Sequence, residues 1–143
     1  MKVLLESGAN LNSGNEWNLT PLSVAFLKGN KGIGKHLAEL PGVNIEVRDD
    51  KGRTILLNML DDNGEQFSNE KMKEVFAFIK EHNANPAAVD NDGNTALHYI
   101  MSHKLNSDPN VKSFMARILK MVNFFLAQGV SPYQRNKDGL LPV

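Results

Sequence analysis

The chain has no cysteine, one tryptophan and two tyrosines among its 143 residues. Without cysteine there is neither a disulfide framework nor a thiolate metal site, which fits a reducing compartment. Charge of one sign is also missing, since 16 Lys and Arg face 16 Asp and Glu. A neutral chain exerts no long-range pull on nucleic acid or on an anionic membrane, so neither is expected as a partner. Long apolar runs are absent too. The opening MKVLLESGAN holds too few apolar residues before Glu6 for a signal-peptide core. No stretch approaches the ~20 residues of a membrane-spanning helix. A cytoplasmic or nuclear protein is expected, long enough for one domain with a real core.

Catalytic and metal-binding constellations are equally scarce. His36, His82, His98 and His103 are scattered, with no pair one helical turn apart. No Ser/His/Asp grouping stands out. VDNDGN and DDNG look calcium-like, but with Gly93 or Gly64 at the sixth loop position the first ligand would be Ala88 or Met59. Asp49, Asp50, Asp90 and Asp92 read better as turn residues. NLT at Asn18 is a glycosylation sequon that has meaning only on a secreted chain. No enzymatic activity, metal or cofactor is therefore expected.

What the chain does have is repetition. NEWNLTPLSVA, DDKGRTILLNM, DNDGNTALHYI and NKDGLLPV share one frame: Asp or Asn, two variable residues, Gly or Asn, one variable residue, Thr, any residue, Leu. Its Thr position is Thr20, Thr54, Thr95 and, degenerate, Leu141. A second frame lies upstream, in ESGANLN, LPGVNIE, EHNANPA and AQGVSPY, with its Gly position at Gly8, Gly42, Asn83 and Gly129. In all four cases the Gly position precedes the Thr position by twelve residues.

These frames resemble the ankyrin repeat family over essentially the whole chain, most closely in TPLSVAFLKGN and DGNTALH. The resemblance implies an all-α solenoid of stacked helix-turn-helix units carrying short β-hairpin fingers. It also implies that His98 ties neighbouring hairpins together by hydrogen bonds. The units would be a partial repeat at 1–14, repeats at 15–48, 49–89 and 90–135, and a truncated repeat at 136–143. The residue chemistry agrees. Gly8, Gly42, Gly129 and Asn83 fall where a chain leaving a helix turns through positive φ. Gly52, Gly93 and Asn18 sit in the finger turn. Thr20, Thr54 and Thr95 are candidate helix caps, Pro21 suits a first helical turn, and Leu22, Leu56 and Leu97 should face the stack.

The stretch GNKGIGKH, Gly29 to His36, mimics a phosphate-binding loop. Such a loop needs a strand before it and a hydroxyl where His36 stands, whereas a helical pattern precedes this one. It reads instead as the turn between paired helices. Gly32 and Gly34 each cost up to ~1 kcal/mol of helix stability, so the following helix is expected to fray or start late.

The Thr positions are separated by 34, 41 and 46 residues, against about 33 for a typical unit. Because the Gly-to-Thr distance is constant, the extra residues must enlarge the helix pairs or their loops. The first insertion, DDNGEQFSNE, is polar, with Ser68 as the expected cap of a helix carrying Met72, Val75, Phe76 and Ile79. The second, SHKLNSDPN, suggests Asp108 as cap and Pro109 as first residue of a helix of about 19 residues, roughly 28 Å long. Its apolar positions Val111, Phe114, Met115, Ile118, Leu119, Val122, Phe125 and Leu126 fit one face. That stripe is either core or an overhang that meets a partner.

The expected function is that of a protein-protein interaction module, part of a larger intracellular scaffold, adaptor or regulator. The alternative is a set of spacer repeats that position a catalytic or channel domain elsewhere. By resemblance, binding falls to finger residues and the exposed side of each first helix. The finger set is Glu16, Trp17, Leu19, Asp50, Lys51, Arg53, Asn91, Asp92 and Asn94, then Lys137 and Asp138. The helix set is Val24, Leu27, Lys28, Asn58, Asp61, Asp62, Tyr99, Ser102 and His103. Trp17 and Tyr99 are the candidate anchors, since aromatics dominate interface energetics. The partner is another protein or peptide. Neither end has a polar capping repeat, so the chain is expected to be a piece of a longer array whose ends associate with other copies.

Overall fold

A computed structural model of the chain describes residues 12–28, 30–61, 69–102 and 110–142. Six helices occur among them: α1 (Pro21–Leu27), α2 (Lys31–Ala38), α3 (Ile55–Leu60), α4 (Asn69–His82), α5 (Ala96–Met101) and α6 (Val111–Ala127). The expectations placed on Gly8, Gly29, Asp62, Ser68, His103, Asp108 and Pro109 lie outside the described residues.

The threonines start the inner helices. The Oγ1 atoms of Thr20, Thr54 and Thr95 accept the backbone N–H of Ser23, Leu57 and His98 at 3.3, 3.3 and 3.4 Å. Pro21 is the first residue of α1, where its missing N–H costs nothing. His98 completes a capping box at Thr95, its Nδ1 accepting the Thr95 N–H at 3.0 Å. That leaves Nε2 to donate to the Leu140 carbonyl, 2.9 Å away, so the imidazole joins its own cap to the next finger. Replacing Thr54 by Ala should cost about 1 kcal/mol, read as a lower urea midpoint, because α3 has only six residues and the Thr54 position is buried.

The helices pair. Each short inner helix (α1, α3, α5) packs on its outer partner (α2, α4, α6), and α3 lies between α1 and α5. Every residue of α3 is buried, so it is the centre of the core. Leu22, Leu56 and Leu97 are 1–2% exposed. Aromatic pairs tie successive units: Phe26 meets Phe78 edge to face at 4.8 Å, and Phe76 lies 4.1 Å from Phe124. The inner helices stay at 7, 6 and 6 residues while the outer ones grow from 8 to 14 to 17. Most of the two insertions, residues 62–68 and 103–109, lies outside the described residues.

Backbone conformation follows the two frames. Gly42, Gly129 and Asn83 have φ of +81°, +89° and +52°, and Asn18, Gly52 and Gly93 have +59°, +75° and +76°. Asparagine takes over at two of these positions because its short side chain tolerates the left-handed region best after glycine.

Three expectations need correction. The fingers are not β-hairpins, since no strand occurs among the described residues. In the second finger Asp49 N–H donates to the Arg53 carbonyl, but the reciprocal ladder bond is lost. The Arg53 N–H goes to the Asp49 side chain, and the Asp49 carbonyl accepts from Gly52. Helix α2 does not start late: it runs from Lys31, with the Asn30 side-chain oxygen 3.5 Å from Ile33 N. Its glycine at 34 has a packing role, because a Cβ there would stand 3.2 Å from the Phe26 ring. Helix α6 has 17 residues instead of about 19, and Asn110 caps it through Ser113 N–H at 3.2 Å. The GNKGIGKH segment follows a helix, α1, and itself enters α2, so no strand-to-helix phosphate loop forms.

Candidate functional site

The residues proposed for binding lie on two neighbouring features, the finger row and the exposed flank of the inner helices. Each finger is built around the side chain that opens its frame: Asn15, Asp49, Asp90 and Asn136. One oxygen of each accepts two backbone N–H groups, two and four residues on. Asn15 takes Trp17 and Leu19 at 3.0 and 3.0 Å, and Asp49 takes Lys51 and Arg53 at 3.0 and 2.8 Å. Asp90 takes Asp92 and Asn94 at 2.9 and 2.9 Å, and Asn136 takes Asp138 and Leu140 at 3.0 and 3.0 Å. A short acceptor in this position imposes the turn locally, which explains why only Asp or Asn occupies it.

The fingers are then joined in register. Asp50 N–H donates to the Trp17 carbonyl at 3.1 Å, Asn91 N–H to Lys51 at 3.0 Å, and Lys137 N–H to Asp92 at 2.8 Å. Arg48 adds a clamp, its Nη1 donating to the carbonyls of Gly52 and Val89 at 2.7 and 2.5 Å. The result is a row of four equivalent turns whose tips differ in chemistry.

The two central fingers carry extra polar ties to their inner helices. Asp49 Oδ2 accepts Arg53 Nε at 2.9 Å and Asn58 Nδ2 at 3.1 Å, and Arg53 Nη1 donates to Asp61 Oδ2 at 2.5 Å. Burial alone would push the Asp49 carboxyl up. The Arg53 N–H, the Asn58 amide and the Arg53 charge outweigh it and hold the carboxyl below its ordinary value. In the next unit Asp90 Oδ2 accepts the Tyr99 hydroxyl at 2.5 Å and Asn94 Nδ2 at 3.2 Å. Burial raises and the Tyr99 and Asn94 donors lower the Asp90 carboxyl, with a net fall. Burial and the Asp90 hydrogen bond together push the Tyr99 phenol well above its usual range.

This geometry divides the proposed residues. Glu16, Trp17, Asp50, Lys51, Asn91, Asp92, Lys137 and Asp138 are exposed at the tips, Trp17 at 55%. Val24, Lys28 and Ser102 are exposed on the helix flank, and Leu19 and Leu27 are half-buried. Asn58 is buried at 5% and holds Asp49, so it is not available to a partner. Arg53, Asp61, Asn94 and Tyr99 are half-buried and engaged within the chain. Asp62 and His103 lie outside the described residues.

Sequence reasoning missed the structural weight of Asp49, Asp90 and their Asn counterparts, although the signal was present as an Asp or Asn opening all four frames. It also missed Arg48, although Arg135 stands at the same place, one residue before its frame, and makes the equivalent bond to the Gly139 carbonyl at 2.7 Å. Among the described residues no group of three or more His, Asp or Glu side chains could hold a metal ion. Nor is any helix there long and apolar enough to cross a membrane.

No family model matches the chain. Over 98 residues, 66% of its length, it is 34% identical to a Caenorhabditis elegans protein named Poly [ADP-ribose] polymerase tankyrase. The chain spans only 4% of that relative's length.

Proposed function

We propose that this chain is an ankyrin-like repeat array that works as a protein-interaction module, holding a partner protein or peptide against the finger tips and the adjoining inner-helix flank. The observation that carries this reading is the row of four equivalent turns, locked by backbone hydrogen bonds yet bearing Glu16 and Trp17, Asp50 and Lys51, Asn91 and Asp92, and Lys137 and Asp138 at its tips. A rigid scaffold with variable exposed ends suits recognition, because little ordering entropy is lost on binding. Trp17 is an apolar anchor in a polar surround, the composition found at interface hot spots.

The likeness to a tankyrase supports the reading as far as the repeats go. The polymerase activity in that protein's name is not carried over, because the match covers 4% of its length. Binding through this segment within a larger scaffold or regulator is the role proposed.

The test compares affinity capture by the immobilised chain with capture by a Trp17→Ala, Asp92→Ala double variant. Both side chains are exposed, so thermal stability should stay within about 0.5 kcal/mol of the parent's. Retention of specifically bound protein should fall at least tenfold, the effect of losing about 1.4 kcal/mol at one anchor. Equal retention by both chains would refute the finger row as the contact surface. Tyr99 is unsuited to this test, because its hydroxyl is bonded to Asp90 and its loss would disturb the fold.

A further inference from the structure

A groove runs between the outer helices α2 and α4, and both of its walls belong to this chain. Its floor is aromatic. Phe26 of α1 lies 4.8 Å from Phe78 and 6.3 Å from His82 of α4, and Phe78 lies 5.5 Å from His82. Each ring thus touches the other two, and together they make one continuous surface. Lys35, Ala77 and Glu81 are among the residues that border a space of about 270 Å³ above it. That volume is near the lower end of small-molecule sites.

The next helix pair shows what such a place accepts. Counted from Gly42, Asn83 and Gly129, Lys35 aligns with Phe76, and Phe78 with Phe124. Between α4 and α6 the Phe76 ring lies on Phe124, with centroids 4.1 Å apart. Between α2 and α4 the aligned residue is the exposed Lys35, which brings no ring. Gly34, aligned with the buried Val75, admits the Phe26 ring to the floor.

We infer that this groove binds a small aromatic ammonium, a flat ring carrying a protonated amine on a short chain. The ring takes the place that Phe76 fills one unit on, against Phe26, Phe78 and His82. The rim sets the charge. Glu70, Glu74 and Glu81 bring three carboxylates, whereas Lys35 and Lys73 bring two ammoniums. Lys73 already pairs with Glu70 at 3.8 Å. Aromatic faces attract cations as well, so floor and rim favour the same sign. Glu81 stands one helical turn beyond Ala77, about 5–6 Å along α4, which suits an amine two carbons from the ring. The groove lies in the outer layer, so this inference is independent of the finger row.

Titration of the chain followed by amide NMR tests it, with phenethylamine as probe. Hydrocinnamate, of like shape and opposite charge, is the comparison. Phenethylamine should give saturable shifts at Gly34, Ala77, Phe78 and His82, with a Kd of about 1 mM. Hydrocinnamate should bind at least fivefold more weakly. Ala77 is exposed, so Ala77→Leu should keep the fold while filling the groove, and should weaken the amine at least fivefold. Glu81→Gln, also at an exposed position, should weaken it about threefold. The Trp17→Ala, Asp92→Ala chain should bind the amine as the parent does. Absence of saturable shifts up to roughly 10 mM would overturn the inference. So would equal or tighter binding of hydrocinnamate, or amine binding untouched by Ala77→Leu.

Discussion

Asp49→Ala should lower the melting temperature by roughly 6–15 °C, corresponding to a loss of about 2–5 kcal/mol in a domain of this size. The Asp49 side chain is 2% exposed, and its carboxylate accepts from two backbone N–H groups, Arg53 Nε and the Asn58 amide. Alanine leaves all four donors without that acceptor. The buried Asn58 amide is the costliest, because water cannot replace the lost partner. Asp49→Asn should cost much less: Asn15 and Asn136 hold the equivalent turns elsewhere in the chain with an amide oxygen. Asp50→Ala, one residue away and exposed, should change stability by less than about 0.5 kcal/mol.

The same carboxylates set an acid limit. Asp49 and Asp90 are held below their ordinary values in the folded chain. Unfolded, they would titrate near pH 3.9. A depressed folded value means that the unfolded chain binds protons first, so the stabilisation is complete above about pH 4 and is lost as pH falls further. Denaturation midpoints measured from pH 7 downward should therefore hold steady and then drop. In Asp49→Ala the drop should be shallower.

The second large effect is expected in the core. Phe78→Ala should cost about 3–5 kcal/mol, measured as the urea midpoint multiplied by the slope. The ring is 2% exposed and lies edge to face on Phe26 at 4.8 Å, which links α4 to the first helix pair. Truncation removes the ring contact and opens a cavity that rigid neighbours cannot fill. Gly34 sharpens this, for its missing side chain is what admits the Phe26 ring alongside α2. Phe124, the aligned residue one unit on, is only half-buried, and its loss should cost less.

How far these features could be read in advance depended on whether they are local. The turns at Asn18, Gly52 and Gly93 and the caps at Thr20, Thr54 and Thr95 are set within a few residues, so a short frame predicts them. A constant Gly-to-Thr distance pointed to enlarged helix pairs or loops, and the apolar spacing after each insertion pointed to the outer helices, which run to 14 and 17 residues. Which stripe of α6 would be buried did not follow, because two apolar stripes run along it and only packing selects between them. Thus Met121, absent from the expected stripe, is fully buried, while Leu119, within it, is 60% exposed. Asn58 and Tyr99 read as free binding positions on the inner helices, yet the carboxylates nine residues earlier engage them. Gly34 looked like a helix defect because its benefit lies in a ring on another helix.

Amide hydrogen exchange at Asp50, Asn91 and Lys137, followed residue by residue by NMR, most directly tests whether the fingers join the units in register. These three amides donate to the preceding finger at 3.1, 3.0 and 2.8 Å. Protection of all three by at least about a hundredfold over an unstructured peptide is expected, with Asp50 and Asn91 losing it together in Asp49→Ala. Exchange at unstructured rates at these positions, while α3 and α5 stay protected, would show that the row of fingers is not the spine of the molecule.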